Sequence, residues 1–96
     1  MNETIAYAIR EMQVLEFDYQ GFHRIVEPHT LGLNHKGHEV FRGYQTGGSS
    51  RRGSIQEWKI FTVDEVKHSC TNGQRFSERE GYEHGDKAFS TIYVEV

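Results

Sequence analysis

The stretch Ile25-Val26-Glu27-Pro28-His29-Thr30-Leu31-Gly32-Leu33, IVEPHTLGL, decides how this chain folds. It holds the only proline of the sequence, inside a run that otherwise reads as β-strand. Proline gives a ladder no N–H and is kept out of central strands except at bulges and edges. The residues before it set one phase. Leu15, Phe17 and Tyr19 alternate with Glu16 and Asp18, the pattern of a half-buried strand over Val14 to Tyr19. Gln20-Gly21 makes the turn, and Phe22 to Val26 returns. In that hairpin Leu15, Phe17 and Tyr19 share a face with Phe22, Arg24 and Val26. Beyond Pro28 the apolar residues fall on odd positions, Leu31 and Leu33. One step along a strand reverses the side chain, so a regular strand cannot bury both sets on one side. The phase therefore changes between Val26 and Leu31, through a bulge or sharp bend at Pro28 that turns the strand around a corner, as small barrels need.

The flanking segments follow from this. Asn2 or Thr4 caps a helix whose apolar stripe is Ile5, Ala8, Ile9 and Met12. A four-residue turn at Asn34 to Gly37 leads into a strand from Glu39 to Gln45, pairing Leu33 with His38, Leu31 with Val40 and His29 with Arg42. With the phase reversed at Pro28, Tyr19, Arg24, His29, Arg42 and Tyr44 all reach the inner face or its rim. Thr46 to Gly53, TGGSSRRG, reads as a loop. Ile55 to Val63 reads as a strand, Asp64 to Val66 as a turn, and Lys67 to Gly85 as polar and irregular chain. The closing residues fit a helix through Phe89, Ile92 and Val96, or a strand through the β-branched run from Thr91. The expected class is mainly β (α+β), one domain. Its parts are an N-terminal helix at 1–13, a strongly bent antiparallel barrel at 14–66 and a C-terminal extension at 67–96.

Composition narrows the functional classes. Of 96 residues 35% are hydrophobic, and six Phe and five Tyr supply much of the buried area. A core this small leaves a modest margin of stability and makes a homodimer one expected state. A single cysteine, Cys70, rules out an internal disulfide framework and points to a reducing compartment. The start, Met1-Asn2-Glu3-Thr4, has no basic region followed by an apolar run, and no segment is long enough to span a bilayer. The expected location is the cytoplasm, away from membranes. A net charge of −3 argues against a dedicated duplex-DNA binder.

Two arginines and a histidine on an otherwise apolar face need partners. Either carboxylates such as Glu27, Glu39 or Asp18 satisfy Arg24 and Arg42, or a ligand does. In the second case the guanidinium forks suit phosphate or carboxylate oxygens, and His29 tunes affinity with pH. Arg51, Arg52 and Lys59 are the expected exposed contacts to nucleic acid, with Trp58, Tyr44 and Tyr19 as stacking surface. His35-x-x-His38, His29 and Cys70 lack the paired spacing of a zinc site, so no metal or cofactor is expected. Asp18 and His23 lie together on the outer face of the first hairpin, but Ser49, Ser50 and Ser54 sit in the loop without a nucleophile-elbow motif, so no catalysis is expected.

AIREMQVLEFDYQG, HRIVEPHTLGLNHKG, VFRGYQTGG and EWKIFTVDEV, together roughly residues 5 to 66, resemble the WYL domain family of bacterial regulators. The resemblance implies a small Sm-like, Src-homology-3-type β-barrel with an N-terminal helix. It also implies a non-enzymatic module of transcription regulation that senses single-stranded nucleic acid, a nucleotide or another anionic ligand, with a regulatory protein as a further expected partner. The residues matching the family's basic and aromatic ligand surface are Tyr19, Arg24, His29, Arg42 and Tyr44. Glu39-Val40-Phe41 stands where the tripeptide that names the family would fall, and Thr62 and Glu65 replace basic residues usual after the barrel. Docking on a protein partner or on itself, without a small ligand, is the rival expectation.

Overall fold

The computed structural model describes residues 1–53 and 56–96; Ser54 and Ile55 lie outside the described residues. A helix, α1 (Glu3–Arg10), is followed by β1 (Gln13–Tyr19), β2 (Phe22–Asn34), β3 (Glu39–Gly48), β4 (Glu57–Thr62), β5 (Val66–Arg75) and β6 (Phe89–Glu95). A 3-10 turn, Val63–Glu65, joins β4 to β5. The strands form one antiparallel sheet in the order β4-β3-β2-β1-β5, and β6 adds to β2. Among the described residues no ladder joins β4 to β5, so the sheet is open. No helix among them is long and apolar enough to cross a membrane.

β2 runs unbroken through Pro28 and changes partner there. Its first half pairs with β1 as far as Val26, and its second half pairs with β6 from Thr30. Pro28 falls in the gap, where no ladder donor is needed on that side. On the other side Pro28 faces Gly43 of β3, and the register then slips, because the next pair is Thr30 with Arg42. His29 is the extra residue of this bulge. It reverses the phase between Val26 and Leu31 and lets both reach one core. That core also holds Phe17, Phe41 and Phe61, whose ring centroids lie 5.0 to 5.6 Å apart. α1 is capped by Asn2, whose side chain accepts from the Ile5 amide at 3.0 Å, and buries Ile5, Ala6, Ala8 and Ile9.

The second hairpin differs by one residue from the expected register. Leu33 pairs with Glu39 and Leu31 with Phe41, not with His38 and Val40. The Asn34 amide donates to the His38 carbonyl at 2.9 Å, so the loop between paired residues is His35 to Gly37, three residues rather than four. Gly37 takes the left-handed conformation (φ 81°) that such a loop needs. The shift sends Phe41 inward and turns Arg42 and Tyr44 to the opposite face, so the expected common face of Tyr19, Arg24, His29, Arg42 and Tyr44 does not form.

Other boundaries move less. β3 continues into the segment read as loop, as far as Gly48, and the remainder is a tight turn closed by Ser50 and Gly53. The fourth strand is Glu57–Thr62, with Gln56 and Val63 outside it; Ile55, where it was expected to begin, lies outside the described residues. β5 is a strand where irregular chain was expected. Its sequence, VKHSCTNGQR, has no apolar alternation because it is an edge exposed along most of its length. The closing segment is a strand, not a helix.

Gly43 shows how tight the bend is. A Cβ there would lie 2.4 Å from Val26 Cγ1 and 3.0 Å from the Glu27 carbonyl oxygen. Gly43→Ala is expected to lower unfolding stability by about 1–3 kcal/mol, as overpacking does. Urea denaturation checks this, and an unchanged midpoint would contradict the close approach of β3 to the bend.

Candidate anion-binding groove

Arg24 faces inward because it sits opposite Phe17 in the β1–β2 register. It is 4% exposed. Its guanidinium carbon lies 5.3 Å from the Tyr19 ring centroid, 5.8 Å from that of Phe61 and 5.9 Å from that of Phe22. Nη1 donates to Gln45 Oε1 at 3.1 Å and Nη2 to the Tyr19 carbonyl at 3.3 Å. Nε is buried and has no acceptor. No carboxylate among the described residues forms an ion pair with Arg24. Burial therefore pulls its pKa below the usual arginine value, since the charged form is the one that desolvation disfavours. The aromatic rings soften the penalty without neutralising the charge.

The guanidinium borders an open groove of about 510 Å³ along the outer edge of β4. Arg51, Arg52, Lys59 and Arg42 line it too, and Glu57 is the single carboxylate among the described lining residues. Glu57 is engaged, with Arg52 Nη2 at 2.6 Å and Lys59 Nζ at 4.0 Å. Arg24 and Arg42 reach the groove from opposite sides of β4. Arg42 lies on the outer face with its Nε 2.8 Å from Asp86 Oδ2, so its charge is already met. Tyr19 Oη accepts the Thr62 amide at 3.0 Å, tying β4 back to the first hairpin.

His29 and Tyr44 belong elsewhere. His29 is fully buried on the outer face, with its ring 4.8 Å from Trp58, 5.1 Å from Phe76 and 5.0 Å from Tyr82. Nδ1 lies 2.8 Å from the Glu27 carbonyl, and Nε2 accepts the Arg79 amide at 3.0 Å. The proton therefore sits on Nδ1 and the ring is neutral. Arg79 also holds Glu27 Oε1 at 2.8 Å and covers the face of Tyr44 at 4.0 Å. The Tyr82 hydroxyl bonds Thr30 Oγ1 and donates to Glu95 Oε2 at 2.8 Å. These contacts clamp residues 76–88 over the bulge. Trp58 is packed between His29, Tyr44 and Tyr82, and Tyr19 is buried by Phe17 and Phe61. Of the three rings expected to stack bases, Tyr19 is buried, whereas Tyr44 and Trp58 are half-buried and Trp58 lines the groove.

Gln45, Glu57, Arg79 and Asp86 matter here and were not among the sequence candidates. A polar Gln45 opposite Val26 was a visible signal for one of them. The pair His23 and Asp18 forms as expected at 3.0 Å on the outer face of the first hairpin, with Glu16 on the other ring nitrogen at 2.8 Å. Among the described residues no group of His, Cys, Asp and Glu is arranged to hold a metal ion. Ser50 Oγ donates to the Gly53 carbonyl at 3.2 Å, closing its turn. Ser54 lies outside the described residues.

The two histidine environments give opposite pH signs. Desolvation lowers the pKa of His29, so its contribution to stability is complete above the ordinary histidine value of about 6.5 and is lost as pH falls below it. Hydrogen bonds that the His23 ring donates to Glu16 and Asp18 raise its pKa, so its smaller, solvent-screened contribution is present below about 6.5 and is lost as pH rises through the raised value. NMR titration of the imidazole resonances is expected to place His29 below and His23 above the ordinary range, and stability is expected to fall from pH 7.5 to 5; His29 titrating at or above the ordinary range would contradict its burial. No protein-family model, curated protein or solved structure matches this chain.

Proposed function

We propose that this chain is a non-enzymatic binding module of the WYL type, whose groove beside β4 holds an anionic group at Arg24. The observation that carries this reading is a buried guanidinium with no carboxylate partner. An uncompensated buried charge destabilises the fold by several kcal/mol in the general case, and a chain with so small a core has little margin to absorb it without a return in binding. A phosphate or carboxylate entering the groove would meet the unfilled donors of Arg24, with Lys59 and Arg51 adding attraction at longer range. Arg52 joins them when Glu57 yields. Single-stranded nucleic acid or a nucleotide-like ligand is what the WYL resemblance leads one to expect.

The finer architecture belongs to the same proposal. The strand order, the 3-10 turn between β4 and β5 and the bond from Thr62 to Tyr19 support an Sm-like, Src-homology-3-type barrel left open at the groove. A second reading, a protein-interaction module, is favoured by one specific feature: the groove runs along a strand edge.

The test is an NMR titration with pyrophosphate at low ionic strength. Binding is expected to shift the Arg24 Nε resonance together with Tyr19 and Lys59, and to weaken steeply with added salt. Arg24→Met is expected to abolish binding and to raise stability by about 1 kcal/mol or more, because it removes the unmet charge and keeps the apolar stem. A variant that binds pyrophosphate as the wild type does would overturn the assignment. A variant that unfolds would show that Arg24 serves the fold.

A further inference from the structure

The outward edge of β4 carries main-chain groups that the chain leaves unmet. The Thr62 amide turns away from β3 and donates to Tyr19 Oη. In an antiparallel pair the two main-chain groups of a residue point to one side, and neighbours alternate. Phe61 and Lys59 therefore pair with Phe41 and Gly43, while Trp58 and Ile60 turn their N–H and C=O groups outward. Among the described residues nothing bonds them. Ile60 is 43% exposed beside them. Such an edge is a template for an added strand unless it is covered or blocked.

We infer, on the reading of this groove as an anion site, that its occupant is an extended acidic segment of a partner protein, which adds to β4 as a further strand. The side chains of β4 specify the pattern. Lys59 and Phe61 lie on the inner side with Arg24, while Trp58 and Ile60 lie on the outer side. An added strand alternates sides in the same way, so it carries Asp or Glu toward Arg24 and Lys59 and apolar residues beside Ile60. A single-stranded nucleic acid fits less well, because it uses neither the main-chain donors nor the acceptors of β4 in register. A second copy fits less well too. The other end strand, β5, has no acidic residue, and the single carboxylate of β6, Glu95, is held by the Tyr82 hydroxyl and the Gly85 amide.

The probes are a capped peptide of alternating Glu and Val, six residues long, and a twelve-nucleotide oligothymidylate, each titrated into the full chain. The peptide is expected to slow hydrogen exchange at the Trp58 and Ile60 amides and to shift Arg24 Nε. N-methylation of one alternate set of peptide residues is expected to weaken binding at least tenfold, and methylation of the other set to leave it unchanged, because only one set points its N–H at β4. Equal effects of the two methylated sets would overturn strand addition. Binding of oligothymidylate without protection at Trp58 and Ile60, with the peptide inert, would overturn it and leave the anion site standing. Failure of both probes and of pyrophosphate would remove the anion site as well. Protection that grows with chain concentration alone, with a dimer in sedimentation, would assign the edge to a second copy and overturn the acidic partner.

Discussion

One extra residue in β2 governs the rest of the structure. His29 stands opposite no residue of β3, and that single insertion reverses the phase of a strand that would otherwise bury only half its apolar side chains. Three consequences follow from it. Val26 and Leu31 reach the same core. Pro28 occupies the point at which β2 leaves β1 for β6, so its missing N–H is never called for. The inserted ring is thrown to the outer face, where residues 76–88 cover it with Phe76, Tyr82 and the Arg79 amide. The bulge thus makes two packed regions from one sheet: an inner core around Phe17, Phe41 and Phe61, and an outer cluster around His29.

The same division explains the charges. Three of the arginines around the sheet are met where they stand: Arg42 by Asp86, Arg79 by Glu27, Arg52 by Glu57. Each of these pairs is at least partly open to water, where the Coulomb gain is modest and the burial cost is small. Arg24 is different in both respects, being buried and without a carboxylate. Its position follows from the first hairpin, which places it opposite Phe17 at the margin of the core, next to the open edge of β4. On the proposed reading, function and stability pull against each other at this residue, as they do where a binding site holds a charge that the fold alone would reject.

How much of this was legible in the sequence depends on where the information lay. Leu15, Phe17 and Tyr19 declare their strand by alternation, and the parity conflict across Pro28 declares the bulge, because both are written in local apolar pattern. The face of Arg42 and Tyr44 was misread, since it rests on whether three or four residues separate the paired strands. Asn34 and Gly37 decide that through one hydrogen bond and one left-handed backbone angle, which the apolar pattern does not record. β5 was invisible because an exposed polar edge strand needs no alternation. The roles of Arg79, Tyr82 and Asp86 were invisible for a related reason: their partners are Glu27, Thr30 and Arg42, far away in the chain, and no periodicity links them. Arg24 itself was legible as a cation on an apolar face; its lack of a partner was not.

The central claim is that the buried charge of Arg24 is completed by an anion from outside the chain. The most direct measurement compares thermal unfolding in rising phosphate with unfolding in chloride at equal ionic strength, for the wild type and for Arg24→Met. A ligand that binds only the folded state stabilises it by about RT ln(1 + [L]/Kd). The account predicts that the wild-type midpoint rises with phosphate beyond any effect of chloride, while the variant starts higher and shows no phosphate-specific rise. Parallel phosphate responses in the two proteins would contradict it.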